Sequence, residues 1–421
     1  MMTTATLCAP RKRKSFAGVV TLDRKSFIQA LDRARLVSAA RSCKRILACV
    51  RLEIAAGVLT IQATDLDISL MLQLPAEGEL ASTVVPCSEL ITRLKAGKDE
   101  KCNLHRAGDK FIINGGRVEH ALQTFDPAEF PLVSRDLEGD TLDVHASNLC
   151  RALAVTAIGA ARETTRYAIN GILLEAGEGQ ISLIATDGRR MVLADVPATT
   201  QFTGQAILPL RFCKLIEKFA AKCSDFVTLG VKRETNDKGE PLPARLFAAG
   251  PDWLLSTTEI EGQFPRYNDV VPVSASRFEV DRQGLLETLN QVAIAATDDY
   301  RAVRLVLSPR KIALSAGTPG GAATGSIRAK FLGGGDSEIH TAFNPTYLID
   351  GVKSLETNRI IIDVNQNGCS SNGEVFGKPA LLYSAESPTV RWLMMPVNAG
   401  LEPGPKSLGS NYKPPEQQET A

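Results

Sequence analysis

The chain has no C-x-x-C pair, no H-E-x-x-H or similar histidine arrangement, and no apolar run approaching the width of a bilayer. Its nine cysteines, at positions 8, 43, 49, 87, 102, 150, 213, 223 and 369, are scattered, which argues against a zinc ribbon or a thioredoxin-type site and for reduced, mostly buried thiols. The four histidines, His105, His120, His145 and His340, stand far apart, so neither a metal site nor His-based catalysis is expected, and no cofactor. The longest apolar stretch, residues 152–161, is far short of the roughly 20 residues that span a membrane. No apolar run of about 7–15 residues follows the basic cluster at 11–14, so the start does not read as a secretory signal and a cytoplasmic location is expected. A large charge of one sign is also missing. With 48 Lys and Arg against 47 Asp and Glu, the net charge of +1 excludes a histone-type nucleic-acid binder.

What is present is one unit written three times. VRLEIAAGVLTIQATDLDISL from Val50, ILLEAGEGQISLIATDGRRMVL from Ile172 and the fainter VRLVLSPRKIALSAGT from Val303 share an apolar-x-apolar-x-Ala pattern, followed in the first two by Thr-Asp. The marker alanines Ala63, Ala185 and Ala316 are spaced by 185 − 63 = 122 and 316 − 185 = 131 residues, a domain-sized period in which each copy can bury its own core. Each copy reads as a strand, a helix, a strand pair and a second helix. The first helices are expected at 24–38, 148–161 and within the segment from Arg277, the second at 87–95, 210–222 and 345–355. The strands alternate, as in Leu59, Ile61 and Ala63, and so are expected to be half-buried with one face on helices. The reading is α+β in three domains, 18–138, 139–272 and 273–398, preceded by a basic extension at 1–17. Glycine-rich 318–325 and 333–336 read as turns or weakened strand, and the Pro- and Gly-rich tail 399–421 as disordered.

Charge distribution says more than its sum. Arg211, Lys214, Lys218 and Lys222 are spaced three, four and four apart on one helical face, with Leu215, Ile216 and Phe219 on another. Arg33, Arg35, Arg41, Lys44 and Arg45, and Arg93, Lys95 and Lys98, form similar basic groups. Any one of these is an ordinary solvated face. Their recurrence on corresponding helices suits a sugar-phosphate backbone contacted without sequence readout.

RYAINGILLEAGEGQISLIATDGRRMV from Arg166, EGQFPRYNDVVP from Glu261 and LMMPV from Leu393 resemble the bacterial replicative sliding clamps, the beta subunits of DNA polymerase III. The likeness runs from about residue 18 to residue 397 and is most specific in the second and third copies. It implies three clamp-type domains with helices inside and antiparallel sheets outside, joined head to tail into a ring-shaped homodimer. Such a ring is a non-catalytic processivity factor that encircles duplex DNA and tethers the replicative polymerase. A topological link needs no strong binding, which accounts for the near-zero net charge.

Carried over by motif position, the resemblance implies a groove for short apolar peptides of polymerase, clamp loader and repair proteins. It comprises Ile169, Thr186, Gly188, Arg189, Arg190, Met191, Pro265, Asp269 and Val270, with Asn344, Tyr347, Leu393, Met394, Met395, Pro396 and Val397. Methionines make adaptable apolar walls, while Arg190 and Asn344 can bind peptide carbonyls. Read without the resemblance, the methionines are equally well core packing, and Gly188 is a turn glycine. Expected DNA contacts are Arg41, Lys44, Arg45, Arg93, Arg162, Arg166, Lys214, Lys218 and Lys222.

The chain departs from the family at the groove, at its end and at the dimer contact, and Cys43, Lys44 and Arg45 replace a more apolar, proline-containing stretch common in relatives. Asp269 stands where many relatives carry a basic residue, and the chain continues past the usual ending, so the tail is expected to cover or extend the groove. The dimer contact is expected to involve Glu119, Leu122, Ile294, Arg328 and Lys330, with Glu119 facing Arg328 or Lys330 in a partly reversed charge pattern. These departures leave open a specialised clamp paralogue for a plasmid, phage or repair polymerase. A three-domain ligand-binding protein is the reading from a different class, and it lacks a cluster of titratable groups to support it.

Overall fold

A computed structural model describes residues 20–39, 43–114, 117–133, 139–161, 169–177, 179–200, 203–271, 276–296, 302–318, 321–335, 337–364, 368–369, 375–376 and 379–397. The extension 1–17, the tail from 399, and Arg41, Arg162 and Arg166 lie outside the described residues.

The repeat seen in the sequence is a repeat of ten elements. The first copy runs β1 (Val20–Asp23), α1 (Arg24–Ala34), β2 (Cys49–Ala55), β3 (Val58–Thr64), β4 (Ile68–Pro75), β5 (Leu80–Pro86), α2 (Cys87–Ala96), β6 (Lys101–Ala107), β7 (Lys110–Asn114) and β8 (Glu119–Gln123). The second runs β9 (Asp140–His145), α3 (Ala146–Gly159), β10 (Gly171–Gly177), β11 (Gln180–Thr186), β12 (Arg190–Thr200), β13 (Gly204–Pro209), α4 (Leu210–Ala220), β14 (Phe226–Lys232), β15 (Arg245–Ala249) and β16 (Trp253–Thr258). The third runs β17 (Ser276–Asp281), α5 (Arg282–Val292), β18 (Val303–Ser308), β19 (Lys311–Thr318), β20 (Gly321–Gly333), β21 (Ile339–Phe343), α6 (Pro345–Ser354) and β22 (Arg359–Val364). After the two-residue strands β23 (Gly368–Cys369) and β24 (Val375–Phe376) it closes with β25 (Ala380–Ser384) and β26 (Val390–Met394). Of the five helices given bounds, α2, α3, α4 and α6 fall within two residues of them, α1 ends four residues early at Ala34, and α5 lies inside the segment from Arg277. More strands separate them than the sequence pattern resolved.

The helices start where local chemistry starts them. Asp23 and Asp281 occupy the same position in copies one and three, and each carboxylate accepts the backbone N–H three residues on, from Ser26 at 2.7 Å and Gly284 at 2.6 Å. α1 then turns Phe27, Ala30, Leu31 and Ala34 inward, and α2 turns Leu90, Ile91 and Leu94.

Residues cluster into two compact units, Met1–Cys150 with Gly177–Gly179 and Pro197–Ile260, and Arg151–Ala176 with Gln180–Val196 and Glu261–Ala421. In the first, an antiparallel sheet runs β5-β2-β3-β4-β16-β15-β14-β9, with the end of β12 beyond β9. A separate sheet runs β1-β6-β7-β8. In the second, the same plan recurs as β21-β18-β19-β20-β17-β22-β25-β26, with the start of β12 beyond β26. Consecutive repeats are therefore joined by backbone pairing, β4 with β16 in one unit and β12 with β26 in the other.

The expectation of half-buried strands fails for β3. Leu59, Ile61 and Ala63 are fully buried, and Thr60, Gln62 and Thr64 on the opposite face are buried as well. One reason is that the chain after β8 folds back over the sheet, where Phe130 and Val133 pack with Cys49, Met71 and Val84.

The Thr-Asp marker is a turn. In copy one the Thr64 hydroxyl donates to the Ile68 carbonyl at 3.0 Å, and Asp65 accepts from Ile68 N–H at 2.9 Å. In copy two Thr186 donates to the Arg190 carbonyl at 2.7 Å, and Asp187 accepts from Arg190 N–H at 2.9 Å. Both turns carry a residue at φ +86°, Leu66 in one and Gly188 in the other. A side chain in the left-handed region costs roughly 1–2 kcal/mol, only part of which glycine returns to unfolded-state entropy. Leu66→Gly is expected to stabilise the chain by about 0.5–1 kcal/mol, read as a higher urea midpoint at unchanged slope.

Among the described residues no helix is long and apolar enough to cross a membrane, and no three His, Cys, Asp or Glu side chains group as metal ligands. Burial pushes the Cys49 and Cys87 thiols up to about 12 and Cys102 up to about 11, away from reactive thiolate character.

Candidate functional site

In the second unit, a cleft of about 430 Å³ opens beside the Thr186–Arg190 turn. The turn sets one wall. With Gly188 in the left-handed region, Arg189 and Arg190 N–H both reach Asp187 Oδ1 at 2.9 Å, and the chain enters β12 with Met191 toward the cleft. The pairing Met191 with Leu393 brings β26 alongside, and Met395 N–H donates to the Arg189 carbonyl at 2.9 Å, which holds Met395 at the rim. Ile169, Pro265 and Val270 complete the lining. Met191 and Leu393 are buried at 3% exposure, whereas Met395 and Val270 are 39% and 46% exposed, so the cleft has an apolar floor with accessible apolar edges.

The ten residues Ile169, Thr186, Gly188, Arg189, Arg190, Met191, Pro265, Val270, Leu393 and Met395 of the expected groove line this cleft. Six others stand elsewhere, for identifiable reasons. Met394 is one residue out of phase with Leu393 on β26 and is 1% exposed inside its own domain. Asn344 caps α6, its side chain accepting from Thr346 N–H at 2.9 Å. Tyr347 lies beneath the Arg190 guanidinium, 4.4 Å from it. Val397 N–H is taken by the Ala342 carbonyl, while Pro396 beside it and Asp269 in its exposed turn are not among the lining residues.

The sequence reading missed Gln263, Arg266 and Tyr267, which also line the cleft. The Tyr267 hydroxyl donates to Glu175, and burial together with that carboxylate pushes it up to about 12. Its aromatic ring, two residues past Pro265, was the available signal.

Arg190 is a wall rather than a free donor. It is 9% exposed, with Nε on Asp187 at 3.1 Å, NH1 on Asp350 at 2.8 Å, and its plane over Tyr347. Arg189 and Arg266 are the exposed cations of the rim.

The basic faces are thinner than their sequence spacing implied. Arg211 is bonded to Asp65, Arg33 to Asp252, Arg93 to Glu89, and both Lys95 and Arg35 to Asp32. Lys214 and Lys218 on α4 and Lys222 just past it are exposed and make no ion pair among the described residues. Lys44 and Arg45 are exposed at the start of a short 3-10 turn.

Of the expected dimer residues, Glu119, Arg328, Lys330 and Ile294 are exposed, Ile294 at 84%. Leu122 is 2% exposed inside its own domain, and Lys330 lies in the part of β20 already paired with β17, opposite Glu279.

Family profiles described as the N-terminal, central and C-terminal domains of the DNA polymerase III beta subunit match residues 19–134, 143–266 and 270–398. The beta sliding clamp of Pseudomonas putida is 25% identical over 386 residues, covering 90% of this chain and 99% of that protein. A DNA polymerase III subunit beta from Pseudomonas aeruginosa shares the fold at a TM-score of 0.78 and 22% identity, over 90% of this chain and 99% of that one. A sliding clamp from the same organism solved with griselimycin has a TM-score of 0.79 at 23% identity, with the same coverage. Three repeats of one α+β domain, joined strand to strand, define a DNA sliding clamp, a processivity factor of DNA replication with no catalytic step of its own. The chain belongs to the bacterial DNA polymerase III beta-subunit family.

Proposed function

We propose that two copies of this chain close head to tail around duplex DNA in the cytoplasm and tether a polymerase through the cleft floored by Met191 and Leu393. The domains are taken as 18–138, 139–272 and 273–398, with 1–17 and 399–421 outside them. The carrying observation is the pair of sheet edges left open among the described residues. β4 and β12 each pair on their far side with the last strand of the next repeat. The corresponding strand of copy three, β20, is paired with β19 over residues 321–328, and β17 takes it up only from Ala329 onward. The last strand of copy one, β8, is paired with β7 on one side. These two edges are the equivalents of the two halves of each internal junction, and exposed edges of this kind recruit a complementary strand.

The internal junctions also supply a register. The marker alanines align Ala323 with Leu70, because Ala63 pairs Leu70 and Ala316 pairs Ala323. The hairpins closing at Asn114–Glu119 and Ala249–Leu254 align His120 with Leu255. Since Leu255 faces Leu70, His120 should face the partner's strand at Ala323 and Glu119 at Thr324. Arg328 is then four residues further along, roughly 13 Å at strand rise, so no Glu119–Arg328 ion pair is expected. Ile294 fits the same scheme. Counted from the shared N-cap its equivalent in copy one is Leu36, which is 41% exposed where a following repeat packs, against 84% for Ile294.

For DNA, Lys214, Lys218 and Lys222, which make no ion pair among the described residues, are offered to phosphates, with Lys44, Arg45, Arg93, Arg41, Arg162 and Arg166 completing the set carried from the sequence. Few strong contacts suit a ring that slides. For partners, the apolar floor and the exposed Arg189 and Arg266 fit a short apolar peptide with an acidic or carboxylate group, as in polymerase, clamp-loader or repair-protein tails. The deciding experiment loads the protein on nicked circular DNA. Retention on circles with release after linearisation is expected; equal dissociation from both forms would exclude encirclement.

A further inference from the structure

We infer that the chain's own tail, at Leu401–Glu402, occupies the cleft and competes with partner peptides; this rests on the cleft being the peptide site. The described chain reaches Val397, two residues beyond Met395, which is itself a cleft residue held by its bond to the Arg189 carbonyl. β26 is paired on both sides, with β12 and β25, so the segment after it has no sheet edge to extend along there. The segment continues NAGLEPGP from Asn398, with one large apolar residue, Leu401, directly followed by an acid, Glu402. Leu401 is four residues past Val397, a reach of up to about 14 Å, which is enough to turn back over Met395.

The chemistry is complementary. The floor of Met191 and Leu393 would take the leucine, and the exposed rim cations Arg189 and Arg266 would take the carboxylate. Pro403 and Pro405 restrict the backbone that follows, which lowers the entropy lost on docking. The tail is an addition to the clamp framework. The C-terminal family profile ends at residue 398, and the Pseudomonas putida relative is matched over 99% of its length while a tenth of this chain is left over.

A weak intramolecular ligand suffices. With an effective concentration in the millimolar range and an intrinsic dissociation constant near 100 μM, occupancy would weaken an external peptide by about tenfold. The test uses a fluorescein-labelled peptide of residues 398–412 and three proteins: the full chain, a chain ending at Ala399, and full-length Leu401→Asp. The labelled peptide should bind the shortened chain and the Leu401→Asp chain about tenfold more tightly than the full chain, and Met191→Glu in the shortened chain should abolish binding. Equal affinity for all three, or no binding to any, overturns the inference. Griselimycin binding to the shortened chain, and its loss in Met191→Glu, is measured alongside. If griselimycin binds all chains equally while the tail peptide binds none, the tail inference fails and the cleft reading stands. If griselimycin fails on the shortened chain, the cleft reading itself fails.

Discussion

Ile294→Asp should leave a folded protein that elutes as a 45.3 kDa monomer and is no longer retained on circular DNA. The residue is 84% exposed, so its replacement removes almost no packing within one chain. At the proposed junction it would be covered as Leu36 partly is in copy one. Burying an isoleucine is worth about 1.5–3 kcal/mol, and a closed dimer contains the junction twice, so losing it costs about 3–6 kcal/mol. That weakens dimerisation by a factor of about 10² to 10⁴, before the cost of burying a carboxylate is added. Sedimentation at micromolar and nanomolar concentrations measures the shift, and a dimer of unchanged affinity would place the contact elsewhere. A cross-link separates register from contact: His120→Cys with Ala323→Cys should form an intersubunit disulfide, whereas Glu119→Cys with Arg328→Cys, offset by about 13 Å, should not.

The repeat was legible because its marker residues are structural. Ala63 and Ala185 are wholly buried in strands, and Thr-Asp is a hairpin turn whose hydroxyl and carboxylate each satisfy a backbone group. Strands β5 to β8 were less visible, since their neighbours and not their own periodicity decide which face is buried. The basic faces were overcounted for a related reason. Asp65 and Asp252 lie 146 and 219 residues from the arginines they neutralise, and helical spacing carries no trace of them. At the cleft, motif position found the strand residues, but it did not apply strand alternation to the Leu393–Val397 run. Alternation puts Leu393 toward the cleft and Met394 away from it. Gln263 and Arg266 escaped because nothing in a loop's composition says which way it faces.

Arg190→Ala should destabilise the second unit by about 3 kcal/mol, the low end of the cost of breaking a buried ion pair, because Asp350 is 33% exposed and can be rehydrated. The guanidinium ties the β12 turn to α6 through Asp187 and Asp350 and covers Tyr347, so truncation leaves two carboxylates without their cation and a space above the ring. Arg190→Lys restores the charge but not the planar fork or the stacking, and should recover no more than about half of the loss. The buried Trp392, 6.0 Å from the guanidinium, reports the local transition once Trp253 is replaced by Phe. A lower urea midpoint by this probe, with a smaller drop for lysine, is the expected pattern. Equal midpoints in all three proteins would mean that the carboxylates are as well solvated without the arginine as with it. Because Arg190 lines the cleft while its Nε and NH1 are spent on carboxylates, peptide affinity should fall through loss of the wall's shape. The part of the fall that comes from lost shape should persist at high salt, whereas Arg189→Ala, removing an exposed rim cation, should weaken binding mainly at low salt.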